Sequence, residues 1–264
     1  MPYAGSTAEI AVIGGSGFYA FLDDPHDQRV STPYGEVDVT TGDVADRSVA
    51  FLPRHGARHE HPPHRINYRA NIWALRTLGV RQVLAPCAVG SLRPDLPPGS
   101  LVLPDQLVDR TSGRIQTYVD EGATHVPFAD PYCARIGEHV RATEPEVVGR
   151  GTMVVIEGPR FSTRAESQHF AAQGWSLVNM TGHPEAVLAR ELGLCYATLA
   201  LVTDLDAGIE VGEGVGQAEV FAMFEQNIER LKVLLTRVIG GMPDPAGCTC
   251  ATWMDGLELP FALP

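Results

Sequence analysis

Leu177-Val-Asn-Met-Thr-Gly-His-Pro-Glu-Ala-Val-Leu-Ala-Arg-Glu191, read with the segment Cys195 to Ala207 that follows, decides the fold. The first part opens with a short apolar run, passes through Asn179, Met180 and Thr181, and turns helical in pattern at Ala186, Val187, Ala189 and Leu192. Pro184 and Glu185 suit a first helical turn: proline lacks a donor not needed there, and an acid suits the positive end. The second part is an apolar strand, Cys195 to Val202, ending in Thr203-Asp-Leu-Asp206. In a strand Asp204 and Asp206 point the same way, with Leu205 facing back into the core. Two carboxylates at the mouth of a buried strand repel, so one holds its proton nearer neutrality. Such a pair accepts hydrogen bonds from an amine and donates a proton to a ring nitrogen. The plainer alternative is turn chemistry at a strand end.

Upstream, an apolar strand, Ile10 to Ile13, runs into Gly14-Gly-Ser16-Gly17. A strand that meets glycines gathers backbone N–H groups and the Ser16 hydroxyl into a concavity suited to an anion. The run Gly15 to Ala20 also fits a dinucleotide fingerprint loosely, but Asp23-Asp-Pro25 follows where a long amphipathic helix is needed. Phosphate is therefore favoured over a dinucleotide. Residues 54–65 hold four histidines and three arginines. His55 and His59 share a face only in a helix, and Gly56 with Pro62-Pro63 points to a loop, which argues against a metal site. An anion site fits better, with Arg54 offering a planar fork to phosphate and His55 a second donor. A solvated basic loop is the alternative.

The remaining pattern is α/β. Residues 30–52 read as a hairpin or meander turning at Thr32-Pro-Tyr-Gly35, and Asn67 to Leu78 as a helix ended by Gly79. Val80 to Ala85 is a buried strand delivering Pro86-Cys-Ala-Val-Gly-Ser91 to its carboxyl end, where open α/β folds gather ligands. Leu101 to Val108 is a strand interrupted by Pro104, and 109–131 a turn-rich loop with His125 in its middle. A helix from about Cys133 to Ala142 and a strand from Gly151 to Glu157 follow. Thr163 and Glu166 form a capping box, which leaves Phe161 and Ser162 free to face a pocket. The last helix, about Ala218 to Ile239, is amphipathic, and the apolar run Leu257 to Leu263 ends a Pro/Gly-rich tail suited to docking on a neighbouring subunit. No linker clearly divides the chain, so one domain is expected over 1–264, with a core of about 8–240 and a tail of 241–264.

A chain of 264 residues can bury a substantial core. Its net charge of -12 argues against nucleic acid or membrane surfaces as main partners and leaves room for a local cationic pocket. The N-terminal residues show no signal-peptide pattern, and no stretch approaches a membrane span. Five scattered cysteines suit a reduced, cytoplasmic protein. Cys248-Thr-Cys250 offers two ligands, short of a zinc site, and reads as incidental.

Together, Gly14-Gly-Ser-Gly17, Pro53-Arg-His-Gly56, Asn67 to Leu75, Gly90-Ser-Leu92, Gly151 to Ser167, Asn179-Met-Thr181 and Thr203-Asp-Leu-Asp206 resemble the trimeric purine nucleoside phosphorylase family, on its methylthioadenosine phosphorylase side. The resemblance runs from residue 9 to the end of the last helix. It implies a single-domain α/β fold with a central mixed, partly barrel-like sheet flanked by helices, assembled as a homotrimer. It also implies phosphorolysis of 5′-methylthioadenosine to adenine and 5-methylthioribose 1-phosphate, with inorganic phosphate as co-substrate and no metal or organic cofactor. Ser16, Arg54, His55, Ala88 and Thr181 resemble the phosphate-binding set, and Cys87 stands where the family usually has Thr. Phe161 and Met180 resemble the walls around base and ribose, with Ser162, Gln217 and Val220 completing the substrate set. Asp204 and Asp206 resemble the pair that reads adenine through N7 and the 6-amino group, and Asp204 the donor of a proton to N7. Gln217 replaces a small apolar residue near the 5′ group, and Gly182-His183 a more apolar pair. His125 and the apolar tail of a neighbouring subunit are implied to close over the 5′ end. The alternatives are a phosphorylase for adenosine, inosine or 5′-methylthioinosine, a dinucleotide-binding oxidoreductase, and a non-catalytic nucleoside-binding module.

Overall fold

The computed structural model describes residues 7–15, 21–209 and 214–264. Among them one ten-stranded mixed sheet carries helices on both faces. Strand β1 (Ile10–Gly14) lies between β4 (Arg47–Pro53) and β5 (Gln82–Ser91), parallel to both. Antiparallel neighbours β2 (Asp23–Thr32) and β3 (Gly35–Val44) extend the β4 side as a meander. On the far side of β5 run β10 (Cys195–Leu205), parallel to it, and the short β6 (Leu101–Val102). The last three strands are β9 (Leu177–Asn179), β8 (Thr152–Ile156) and β7 (Gln106–Arg110).

The apolar runs are near-continuous because both sheet faces are covered. Ala11 and Ile13 of β1, with Tyr196, Ala200 and Val202 of β10, pack against α1 (Tyr68–Thr77) and α4 (Gly182–Glu191). The alternate residues Ile10, Val12, Ala197, Leu199 and Leu201 pack against α2 (Ala134–Thr143) and α5 (Gln217–Gly240). A third cluster joins β8 and β9 to α3 (Arg164–Ala172). Period-two alternation thus assigns each strand residue to one helical layer.

One detail of the ladder creates the site. β5 pairs with β1 only as far as Val12↔Leu84, and with β9 only from Gly90↔Val178. Between these points no described strand pairs with that edge of β5. Pro86 is tolerated there because no ladder N–H is required of it. Pro86 to Ser91, expected just beyond a strand, are its second half. In the tail, Phe261 packs against Trp73 and Tyr118 of its own chain, at centroid distances of 6.0 and 5.9 Å, while Leu257 and Leu263 stay exposed.

Candidate active site

A cavity of about 430 Å³ lies at the open edge of β5. Gly15, Arg54, His55, Cys87, Ala88, Phe161, Ser162, Met180, Thr181, Asp204, Asp206, Gln217 and Val220 all line it. His125 is exposed and Gly182 and His183 do not line the cavity; His183 faces Asp109 instead, Nε2 to Oδ2 at 3.2 Å. Ser16 lies outside the described residues. A second cavity, of about 650 Å³ between Pro33, Arg65, Arg69 and Arg114, holds none of the residues expected at the site.

At one end sits Arg54, directly after β4, its backbone N–H donating to Gly14 O at 3.0 Å. Its planar fork does not face the cavity. Nε and Nη2 donate to Glu185 Oε2 and Oε1 at 2.7 and 2.9 Å, Nη2 also to Ile13 O and Nη1 to Pro86 O. Of five guanidinium N–H groups one, on Nη1, is left for a ligand. Burial opposes the Arg54 charge, but the neighbouring Glu185 outweighs it and keeps the guanidinium protonated. Tyr196 donates its hydroxyl to the same carboxylate at 2.7 Å. The expectation of a fork gripping phosphate is thus corrected: Glu185 holds it, and the cation arrives already neutralised.

His55 differs in the same sense. Its Nδ1–H donates to His61 O at 2.8 Å, so in the neutral ring Nε2 is an acceptor. Burial, aided by the Arg54 charge, holds its pKa down to about 4. Near neutral pH His55 accepts a hydrogen bond and donates none at Nε2, contrary to the second-donor expectation. Donors come from elsewhere. Ala88 turns its carbonyl to the open edge, where Asn179 Nδ2 donates to it at 3.2 Å, and its N–H points the same way in an extended strand. Thr181 occupies the N-cap position of α4 without a side-chain capping hydrogen bond, beside the helix's positive end. Asn179 Oδ1 accepts from the N–H groups of Thr181 and Gly182 at 2.7 and 2.6 Å, which fixes that turn beside the cavity. Burial pushes the Cys87 thiol up to about 12, so it remains a neutral, weak donor.

Four residues along β5 from Pro86, roughly 13 Å in an extended strand, Gly90 meets the acidic pair. A β-carbon at Gly90 would lie 3.1 Å from Asp204 Oδ1 and 3.2 Å from Asp206 Oδ1, so the missing side chain lets the carboxylates converge. A bulge between Val202 and Asp204 sets Asp204 opposite Gly90. It also ends the alternation: Leu205 is half-buried and belongs to none of the described apolar clusters, rather than facing back into the core. Asp206 is buried and accepts from Ser167 Oγ at 2.6 Å. Burial first, then the Asp206 charge, push Asp204 up to about 6, against the hydrogen bond from Thr203.

Thr203 Oγ1 lies 2.7 Å from Asp204 Oδ2 and 3.2 Å from Val89 O. Its one proton serves the carboxylate when Asp204 is ionised, and Val89 O when Asp204 is protonated and itself donates. Asp204 Oδ1 and Ser162 Oγ are buried without a hydrogen-bond partner. Two orphaned polar atoms at one end of a cavity are ready for a polar ligand. The capping box is present as read, with Thr163 accepting from Glu166 N–H, and α3 carries Ser167 to Asp206.

A model of the phosphorylase superfamily matches residues 9–240. The chain belongs to that superfamily. An S-methyl-5'-thioadenosine phosphorylase of Mycolicibacterium smegmatis is 60% identical over 258 residues, covering 97% of this chain and 99% of the relative. A purine nucleoside phosphorylase of Streptomyces coelicolor is 55% identical over 274 aligned positions, covering 97% and 98%. The solved methylthioadenosine phosphorylase of Schistosoma mansoni in complex with adenine has a TM-score of 0.84 at 36% identity, covering 90% of this chain and 94% of that one. The fold is therefore that of the nucleoside phosphorylases, and no helix among the described residues is long and apolar enough to cross a membrane.

Sequence reasoning missed two residues that hold the lining of this cavity in place. Glu185 reads as a helix-dipole partner, and its pairing with Arg54 across 131 residues left no local signal. Arg114, in the long loop, donates to Met180 O at 2.9 Å, His183 O at 2.6 Å and Glu157 O at 2.6 Å, clamping the cavity wall from behind.

Proposed function

We propose that the chain catalyses phosphate-dependent cleavage of 5′-methylthioadenosine to adenine and 5-methylthioribose 1-phosphate, as a cytoplasmic homotrimer whose reaction uses no metal or organic cofactor. The observation that carries this reading is the convergence of Asp204 and Asp206 over Gly90 in the cavity that Arg54, Ala88 and Thr181 also line. Two further supports are the methylthioadenosine phosphorylase among the relatives and the adenine bound by the Schistosoma mansoni neighbour.

In this reading adenine lies against Phe161 and Met180, its 6-amino group and N7 facing the aspartates. Phosphate takes the other end, held by the Ala88 N–H, the last Arg54 N–H, the Thr181 turn and Ser16. The bond between C1′ and the purine breaks with its electron pair going to the base. A phosphate oxygen bonds to C1′, and the Asp204 proton passes to N7, so the leaving base departs neutral. The developing positive charge on the sugar is met by the phosphate dianion, so positioning provides much of the rate. His55 Nε2 accepts the phosphate's own O–H. His125 serves a neighbouring active site in the trimer.

Gln217, lining the cavity from the first turn of α5, favours a second reading in which a 5′-hydroxyl is accepted and adenosine, inosine or 5′-methylthioinosine is the better substrate. Comparison of kcat/KM for these nucleosides with methylthioadenosine separates the two. The first reading expects methylthioadenosine to lead inosine by at least about tenfold; an inosine preference establishes the second.

A further inference from the structure

Four cysteines with no part in the proposed reaction meet at the opposite end of β10 from the aspartates. Cys195 opens that strand and Asp204 stands nine positions on, about 30 Å along an extended chain. Cys133 is the N-cap of α2, fixed by its N–H donating to Tyr196 O at 2.8 Å. Cys248 and Cys250 come from the tail. All four sulfur atoms lie within 4.8 Å of one another, and Cys133 Sγ is 3.7 Å from Cys248 Sγ. Cys133, Cys195 and Cys250 are buried and Cys248 is half-buried. The two ligands visible in Cys248-Thr-Cys250 become four once α2 and β10 are folded.

We propose that Cys133, Cys195, Cys248 and Cys250 form a structural tetrathiolate site for a soft divalent cation, zinc above all, that fastens the C-terminal tail to the sheet.

A tetrahedral zinc with bonds of about 2.3 Å separates its sulfur ligands by about 3.8 Å. The Cys133–Cys248 distance already matches this, and the other pairs need to close by about 1 Å at most. Disulfides would draw sulfurs together in pairs at about 2 Å. Four sulfurs near each other around one centre suit a single ion better than two separate bridges. The donor set is soft, which excludes magnesium and calcium.

The surroundings suit a doubly negative tetrathiolate. Arg135 Nη2 lies 3.6 Å from Cys195 Sγ and donates to Gln82 Oε1 at 2.6 Å, while Nη1 donates to Pro243 O at 2.7 Å. A fixed cation is thus tied to β5, to the tail and to one ligand, as an outer-shell partner is. Cys133 adds the positive end of α2. Binding exchanges thiol protons for the metal: one zinc ion and four thiols give the tetrathiolate and up to four protons released to solvent, with no change of oxidation state. Downstream, Trp253 Nε1 donates to Arg190 O at 2.9 Å, so the site anchors the start of a segment that continues across the molecule's own surface.

The test uses the whole chain, purified without chelator or reductant from cells grown with added zinc. Metal content is measured by mass spectrometry, and free thiols are counted in denaturant with and without EDTA. The proposal expects about one zinc per chain, its release on thiol modification, and all thiols free once the metal is chelated. Cobalt-exchanged protein should show visible absorption of a tetrahedral thiolate complex. Cys248→Ser with Cys250→Ser should lower zinc content at least tenfold, while Cys87→Ser keeps it. Zinc and cobalt both near zero with the thiols free overturns the proposal, as does finding these cysteines in disulfides in unreduced protein. Wild-type metal content alone decides the matter if the double variant does not fold.

Discussion

The Arg54 guanidinium and the Glu185 carboxylate form a two-pronged, buried ion pair, with N···O distances of 2.7 and 2.9 Å. The Arg54 end of the cavity, where the proposed reaction seats phosphate, therefore presents a guanidinium already paired with Glu185. Removing one partner of a buried pair leaves an uncompensated charge, at a cost of about 3–5 kcal/mol. Glu185→Gln should lower stability by an amount of that order in urea unfolding. It should also raise the KM for phosphate more than tenfold while moving the KM for nucleoside far less, since Arg54 loses its orientation. Equal changes in the two KM values would mean that the pair serves the fold alone.

Asp204 has its pKa raised above the ordinary 3.8 to about 6, so the folded state binds more protons than the unfolded chain between those values. Stability on this account is greatest below pH 4 and is lost as pH rises through 6. Asp204→Asn removes the cost of ionising a buried carboxylate, on the order of 2–3 kcal/mol above pH 6. Its Tm without ligand should exceed that of the wild type at pH 8, and the advantage should shrink towards pH 4. A uniform Tm difference across that range would contradict the assignment.

The same substitution should depress turnover. Loss of a positioned general acid costs about 10²–10⁴-fold, and the loss should be greater for methylthioadenosine than for inosine-type substrates. For the wild type, kcat/KM for methylthioadenosine should fall as pH rises past about 6, where free Asp204 loses its proton. The limb in kcat should lie at higher pH, because a bound purine excludes water from the carboxyl group further. A kcat/KM that stays flat to pH 8 would remove Asp204 from the role of acid.

Gly90 is required by close approach rather than by backbone conformation. In Gly90→Ala the new methyl group would meet Asp204 Oδ1 at 3.1 Å and Asp206 Oδ1 at 3.2 Å. Splaying the carboxylates should cost about 1–3 kcal/mol in nucleoside binding, read as a KM rise of about tenfold or more, with the KM for phosphate nearly unchanged. An unchanged nucleoside KM would show that the pair does not act together on the base.

Gln217→Leu replaces a polar side chain of the cavity wall with an apolar one. The ratio of kcat/KM for methylthioadenosine over adenosine should rise by about 10–100-fold. An unchanged ratio would place the 5′ group elsewhere.

Much of this arrangement was legible in the chain. The apolar strands at Ile10 to Ile13 and Cys195 to Val202, the capping box at Thr163 and the acids after Val202 are local patterns, and local patterns survive in sequence. What escaped was non-local. Nothing near Glu185 announces Arg54, and nothing near Cys248 announces Cys133 or Cys195. The opening in β5 arises because β1 leaves the ladder before β9 joins it, a property of three strands that no single run encodes. Arg54 and His55 were read by side-chain type, and their hydrogen-bond partners reversed what each presents to the cavity. Ser16, the remaining member of the expected phosphate set, lies outside the described residues.

The central claim is that one cavity brings phosphate and a purine nucleoside together for displacement at the sugar. Its most direct test is the release of adenine from methylthioadenosine with and without inorganic phosphate, with the sugar product followed by phosphorus NMR. Adenine release that depends on phosphate, matched mole for mole by a sugar 1-phosphate signal, is the result expected. Release at the same rate without phosphate, yielding the free sugar, or no release at all, would contradict it.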